Sequence, residues 1–359
     1  MRVFSPRRLL LPVFLSSLTL SVPPAQAGSW WDDDSSTLGS LLETLPERAF
    51  GPRAEIGYGD LAAAEGQQQA GEPASGLVSR VLLTAVGPTP GAQALVADPD
   101  STAAQGFARD AITQLVTFGR GRNEGVIQLD DEATAALPGF LADHGYHSLA
   151  DGVWGGGSAI VDASALWSGP FPRDVALRLR GSDLHYAAMS QAEALMADSD
   201  GALAGQEALA PLVETIDSMD EHGTAGDLIA ALLYPAAPVS ETALPWRALA
   251  LADFAEGDTA TGLLLATLDW PVEGYASPVA LGAELTRLWR EAPVPGAASL
   301  LDALDGAGSL SVSVLDDGLA LLQVEVSLPA RLGRNGFSVN PAMDIWQQAL
   351  IFGELPILP

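Results

Sequence analysis

Between Ser309 and Leu328 apolar and polar residues alternate twice in succession. Leu310, Val312 and Val314 alternate with Ser309, Ser311 and Ser313; after Asp316-Asp317-Gly318 the pattern resumes with Leu322, Val324, Val326 and Leu328 against Gln323, Glu325 and Ser327. A period of two predicts two β-strands with one apolar face each, joined as a hairpin. Register then decides the loop. A two-residue loop at Asp317-Gly318 sets Val312 opposite Gln323 and mixes polar with apolar residues on one face. A three-residue loop pairs Val314 with Ala320, Val312 with Leu322 and Leu310 with Val324, and it leaves Gly318 at the left-handed position that glycine tolerates. The three-residue loop is expected, and the apolar face of the hairpin requires a cover.

The cover is legible just upstream. Ser277 is placed to cap a helix, Pro278 suits its first turn, and Leu281, Leu285, Leu288 and Trp289 form one stripe. Arg287 and Glu291 pair on the other side, and Pro293 ends the run. Before it, Trp246 to Phe254 and Thr259 to Leu268 read as strands joined around Glu256-Gly257-Asp258. Val175 to Ala188 repeats the hairpin logic: a two-residue Gly181-Ser182 loop pairs Leu179 with Leu184, Leu177 with Tyr186 and Val175 with Ala188 on one face, and sends Arg178 and Arg180 outward.

The rest of the chain is read more coarsely. Leu38, Leu41, Leu42 and Leu45 mark a short amphipathic piece, Glu55 to Leu61 a strand, and Glu65 to Pro73, rich in glutamine and glycine, a loop. Helical spacing appears at Leu77, Val78, Val81, Leu82 and Ala85, and again at Ala104, Phe107, Ala108, Ile112 and Leu115. Gly125 to Leu129 predicts a strand and Glu132 to Asp143 a helix with Pro138 as its weak point. Tyr146 to Leu149 and Val153 onward predict a hairpin, and Gln191 to Ala197 and Gln206 to Asp220 predict helices. The expectation is an α+β protein of antiparallel β-hairpins packed against amphipathic helices in two α+β layers. Its expected parts are a signal peptide at 1–27, an N-terminal extension at 28–54, an α+β domain at 55–238, a ββαββ domain at 239–340, and a C-terminal helix with an apolar tail at 341–359. The boundary is set by Pro235, Pro238 and Pro245.

The leader reading rests on Arg2, Arg7 and Arg8, the apolar run Leu9 to Leu20, and the small residues Ala25 and Ala27. That run is shorter than the roughly 20 residues a spanning helix needs, so cleavage before Gly28 and an extracytoplasmic location, periplasmic or secreted, are expected, with no transmembrane segment afterwards. Arg7-Arg8 leaves twin-arginine export open beside the general route.

Charge and composition narrow the classes. There are 45 acidic residues against 17 basic ones, net -28, and every basic residue is an arginine. Such a chain repels nucleic acid and anionic lipid and favours solubility, divalent cations or a basic partner. With no cysteine it has neither disulfides nor thiol chemistry, so stability must come from a packed core.

No strong catalytic pattern emerges. Gly156-Gly157-Ser158-Ala159-Ile160 lacks the last glycine of a nucleophile elbow, and without lysine there is no Ser-x-x-Lys route. Among the histidines, His144 and His147 are separated by Gly145, His185 is expected to face solvent from a strand, and His222 reads as a helix C-terminus. Trp154 and Trp167 flank a glycine run and are candidates for a ligand groove. The most specific local pattern is a calcium-loop spacing in which Asp198, Asp200 and Glu207 occupy the third, fifth and twelfth places, but Met196 stands where the first aspartate belongs. No other cofactor is expected. The resulting expectation is an exported, non-catalytic binding or envelope-associated module for an unknown protein or small-molecule ligand. An extracytoplasmic hydrolase and a calcium-stabilised structural protein are the alternatives.

Overall fold

The structure, a computed structural model, describes residues 37–69, 75–169, 173–196, 202–236, 246–291, 308–315, 318–332 and 338–352. In chain order these form α1 (Leu38–Glu43), β1 (Glu55–Asp60), α2 (Leu61–Gln69), α3 (Ser75–Ala85), α4 (Pro90–Ala97), β2 (Ile112–Gly119), β3 (Glu124–Leu129) and α5 (Asp131–Asp143). There follow β4 (His147–Ala150), β5 (Val153–Gly156), β6 (Val175–Arg180), β7 (Asp183–Ala188), α6 (Ala192–Met196), α7 (Ala210–Glu221) and β8 (Asp227–Tyr234). The last third holds β9 (Trp246–Glu256), β10 (Thr259–Asp269), α8 (Pro278–Glu291), β11 (Ser309–Val314), β12 (Leu319–Pro329), a two-stranded pair β13 (Arg331–Leu332) and β14 (Ser338–Val339), and α9 (Pro341–Phe352). The protein is α+β.

One twelve-stranded sheet runs in the order β11-β12-β10-β9-β8-β1-β2-β3-β7-β6-β5-β4. Every neighbouring pair in it is antiparallel. The hairpin register is the three-residue one, with Val314 opposite Ala320, Val312 opposite Leu322 and Leu310 opposite Val324, and Gly318 takes φ 72°. The apolar side of this ribbon lies under α8, whose Leu281, Leu285 and Trp289 pack with Leu322, Val324 and Val326. Ser277 Oγ accepts from Ala280 N at 3.2 Å, and Arg287 pairs with Glu291. The Gly181-Ser182 hairpin also has its expected pairs.

Three expectations are corrected. The boundary between 238 and 239 falls between β8 and β9, which are paired neighbours in the one sheet, and residues 36–359 form one compact unit. The helix expected from Ala104 to Leu115 is instead a set of turns leading into β2: its three-to-four spacing came from a buried loop at Phe107 followed by a strand buried on both sides. Residues 65–69, expected as loop, complete α2, which Asp60 starts by accepting from Ala63 N at 2.7 Å.

Helices cover the two sides of the sheet unequally. Leu249, Leu251 and Ala255 point to the side that carries α2, α3, α4, α5, α8 and α9, whereas Ala248, Ala250, Ala252 and Phe254 point to the side that carries α1 and α7. Glycine decides how close two of the helices come. A Cβ on Gly57 would run into the Ala85 carbonyl, and one on Gly59 would lie 2.6 Å from Val81 Cγ1, so α3 rests directly on β1. At Gly262 a Cβ would meet Ala342 at 2.8 Å and Trp346 at 3.0 Å, so α9 rests on β10 in the same way.

Candidate functional site

Asp198 and Asp200 lie outside the described residues; Glu207 is exposed in the turn before α7, and Met196 ends α6. Among the described residues no group of three or more histidine, aspartate or glutamate side chains is arranged to hold a metal. The proposed tryptophan groove is overturned, because Trp167 is 0% exposed and its Nε1 donates to Tyr146 Oη at 3.1 Å within the core. His144 stacks on Phe140, with ring centres 3.9 Å apart, and ends α5. His222 ends α7 as expected, its Nδ1 2.6 Å from the Ser218 carbonyl.

His185 does not face open solvent. It is half-buried on β7 beside Arg178 and Arg180, and burial first, then those two positive charges, push it down to about 4. Arg178 does not point freely outward either: its Nη1 donates to the Leu195 carbonyl of α6 at 2.6 Å. At neutral pH this imidazole is uncharged, which suits a residue packed beside two arginines.

Two groupings of ionisable residues remain, and sequence reading found neither. The first is fully enclosed. Asp253, in the otherwise apolar interior of β9, receives Arg80 Nε at 2.6 Å and Nη2 at 2.5 Å, and Asn340 Nδ2 at 2.7 Å. Arg80 is 4% and Asp253 1% exposed. Asn340 also accepts from Ala342 N at 3.0 Å, so the carboxylate joins α3 and the start of α9 across β9. It is a structural clamp: both oxygens are taken and no substrate reaches them.

The second lies at the junction of β1, α7 and β8 and is the candidate site. Tyr58, 2% exposed, donates from Oη to Asp60 Oδ2 at 3.2 Å, and Gln114 Nε2 donates to the same oxygen at 2.6 Å. One helical turn apart on α7, Asp217 Oδ2 accepts from Gly39 N of α1 at 3.0 Å and Asp220 Oδ1 accepts from Leu228 N of β8 at 2.7 Å. Asp227 Oδ2 accepts from Gln67 Nε2 at 2.6 Å. Among the described residues none of these four carboxylates has an ion-pair partner.

Asp60, Asp217, Asp220 and Tyr58 are all shifted upward. Burial, against the hydrogen bonds from Ala63, Gln114 and Tyr58, raises Asp60. Burial and the neighbouring Asp220 charge push Asp217 up to about 6, against the donors of Gly39, Leu38 and Thr37. Asp220, an exposed residue whose Oδ1 is held by Leu228 N, is raised by partial desolvation of its carboxyl and by Asp227 and Asp60, and Tyr58 is raised by burial and by the charges of Asp60, Asp220 and Asp217. Such a set holds protons more tightly than free carboxyls do, the property a general acid or a proton-sensitive contact requires.

No family model matches this chain, and no curated protein matches it. Among solved structures, crystal form I of TP0453 superposes with a TM-score of 0.35 and 13% identity over 80% of this chain and 94% of that one. Crystal form III of TP0453 gives 0.35 and 12% over 79% and 94%. Superpositions this loose carry no functional inference.

Proposed function

We propose that the protein is an exported, non-catalytic binding or envelope-associated module whose partner meets the open side of the β11–β12 ribbon. The supporting observation is an asymmetry. One side of the ribbon lies under α8, with Val314 at its end exposed, while on the other Ser309, Ser311, Ser313 and Ser327 are exposed and Gln323 and Glu325 half-buried. Along the middle of the sheet that same side is closed by α1 and α7. Among the described residues β11 also ends the sheet, so its outer backbone donors and acceptors are placed to pair with an extended segment. The acidic balance favours a basic partner, and the leader-like start supports export. No helix of the described residues is long and apolar enough to cross a membrane.

A photo-crosslinking residue at Ser311, compared with one at exposed Glu214 on α7, tests this in extracytoplasmic fractions of the source organism. A discrete adduct from position 311 and none from 214 is expected; equal labelling at both sinks the reading. A second reading, an extracytoplasmic hydrolase, is favoured by the raised carboxyls of Asp60 and Asp217. It requires an activity on ester, peptide or glycoside substrates that Asp60→Asn abolishes.

A further inference from the structure

Asp217 stands out from its neighbours in one respect. Its Oδ2 is bonded to α1, but its Oδ1 is buried and, among the described residues, has no hydrogen-bond partner. A buried anionic oxygen left this way has a strong free-energy reason to be neutralised. Among the described residues no cation is placed for that purpose. Tyr58 faces it from β1 and Asp220 from its own helix, and Asp220 is itself faced by Asp60 and Asp227. His222 at the end of α7 is exposed and held by the Ser218 carbonyl. On α1 the ionisable residue is Glu43, another carboxylate. A proton is therefore the available counter-charge.

We propose that Asp217, with Asp60 and Asp220 around the Tyr58 hydroxyl, is a proton-operated latch that seats α7 and α1 more firmly on the sheet as the medium turns mildly acidic. The geometry makes Asp217 the hinge of this device, because the same carboxyl touches the first turn of α1 and rides on α7. Gly39 is locked to it: a Cβ there would lie 2.8 Å from Asp217 Oδ2. Protonation of Oδ1 removes charge from the buried oxygen and leaves Oδ2 to accept from Gly39, so the contact survives while the repulsion from Asp220 is relieved.

The direction of the pH effect follows from the raised proton affinity. Folding disfavours the ionised form of Asp217, so the folded chain takes up its proton near pH 6, before the unfolded chain does at about 4. Stability is lowest above about pH 7, rises as pH falls through about 6, and levels off below about 4.

The test is thermal unfolding of the full chain between pH 8 and pH 5. The native protein should gain about 2–4 °C in Tm from this group on acidification, the shift that about one pH unit of coupling gives in a large domain. Asp217→Asn should flatten that gain, while Glu214→Gln, which removes an exposed charge from the same helix, should leave the slope intact. Titration of the Asp217 carboxyl by NMR in the native chain supplies the second readout, independent of whether the variant folds, and a midpoint near 6 is expected. A slope in Asp217→Asn as steep as in the native chain, or a native midpoint near 4, overturns the proposal.

Discussion

Asp253 and Asp217 are both carboxylates turned in against the same sheet, and their circumstances are opposite. Asp253 has a guanidinium on both oxygens and an amide behind it, deep between two apolar clusters. Asp217 accepts from Gly39 N on Oδ2, has an Oδ1 that is buried without a partner among the described residues, and has a second carboxylate one turn away. Burial by itself penalises both charges. What separates them is whether a cation was buried with them, because a buried ion pair repays part of the desolvation cost that a lone charge must relieve by binding a proton. The first arrangement resists change, and the second is poised to respond to it.

Removing half of the paired region should have the largest effect. Asp253→Ala leaves Arg80 buried without its counter-ion and should cost about 3–5 kcal/mol of stability, read by urea unfolding. Replacing both partners by apolar residues, Arg80→Met with Asp253→Leu, should recover most of that loss; a double variant as unstable as the single one would show that the clamp contributes more than charge balance. Asn340→Ala should cost less, about 1–2 kcal/mol, because it removes one hydrogen bond to Asp253 and the cap of α9 while leaving the ion pair in place.

In the unpaired region the smallest change is Tyr58→Phe. It deletes the hydroxyl that donates to Asp60 and should cost about 1 kcal/mol. Because that hydrogen bond holds Asp60 down against burial, its loss should move the Asp60 titration to higher pH. An unchanged Asp60 midpoint would mean that Ala63 N and Gln114 set it without the tyrosine.

Legibility divides along a physical line. Where one side of a strand is buried and the other wet, the chain displays a period of two, and the β6–β7 and β11–β12 pairs could be drawn to the residue. The amphipathic stripe of α8 was equally plain, since one side of that helix remains in water. β8, the central strand Asp227–Tyr234, escaped because it is buried on both sides, so its leucines and alanines carry no alternation. β2 was mistaken for helix for a related reason. Pro235, Pro238 and Pro245 after β8 suggest a domain boundary, but a connection between neighbouring strands looks the same in sequence as a linker between domains.

Local pattern, then, determined the hairpins, their registers, the lid over the last ribbon and the acidic, cysteine-free character of the chain. Only the tertiary structure brought Asp253 to Arg80, 173 residues away, and Asp217 to Gly39, 178 residues away. Contacts at such separations leave no periodicity to read. An aspartate looks identical in sequence whether its partner is a guanidinium, a backbone amide or another aspartate, and that choice of neighbour sets its charge.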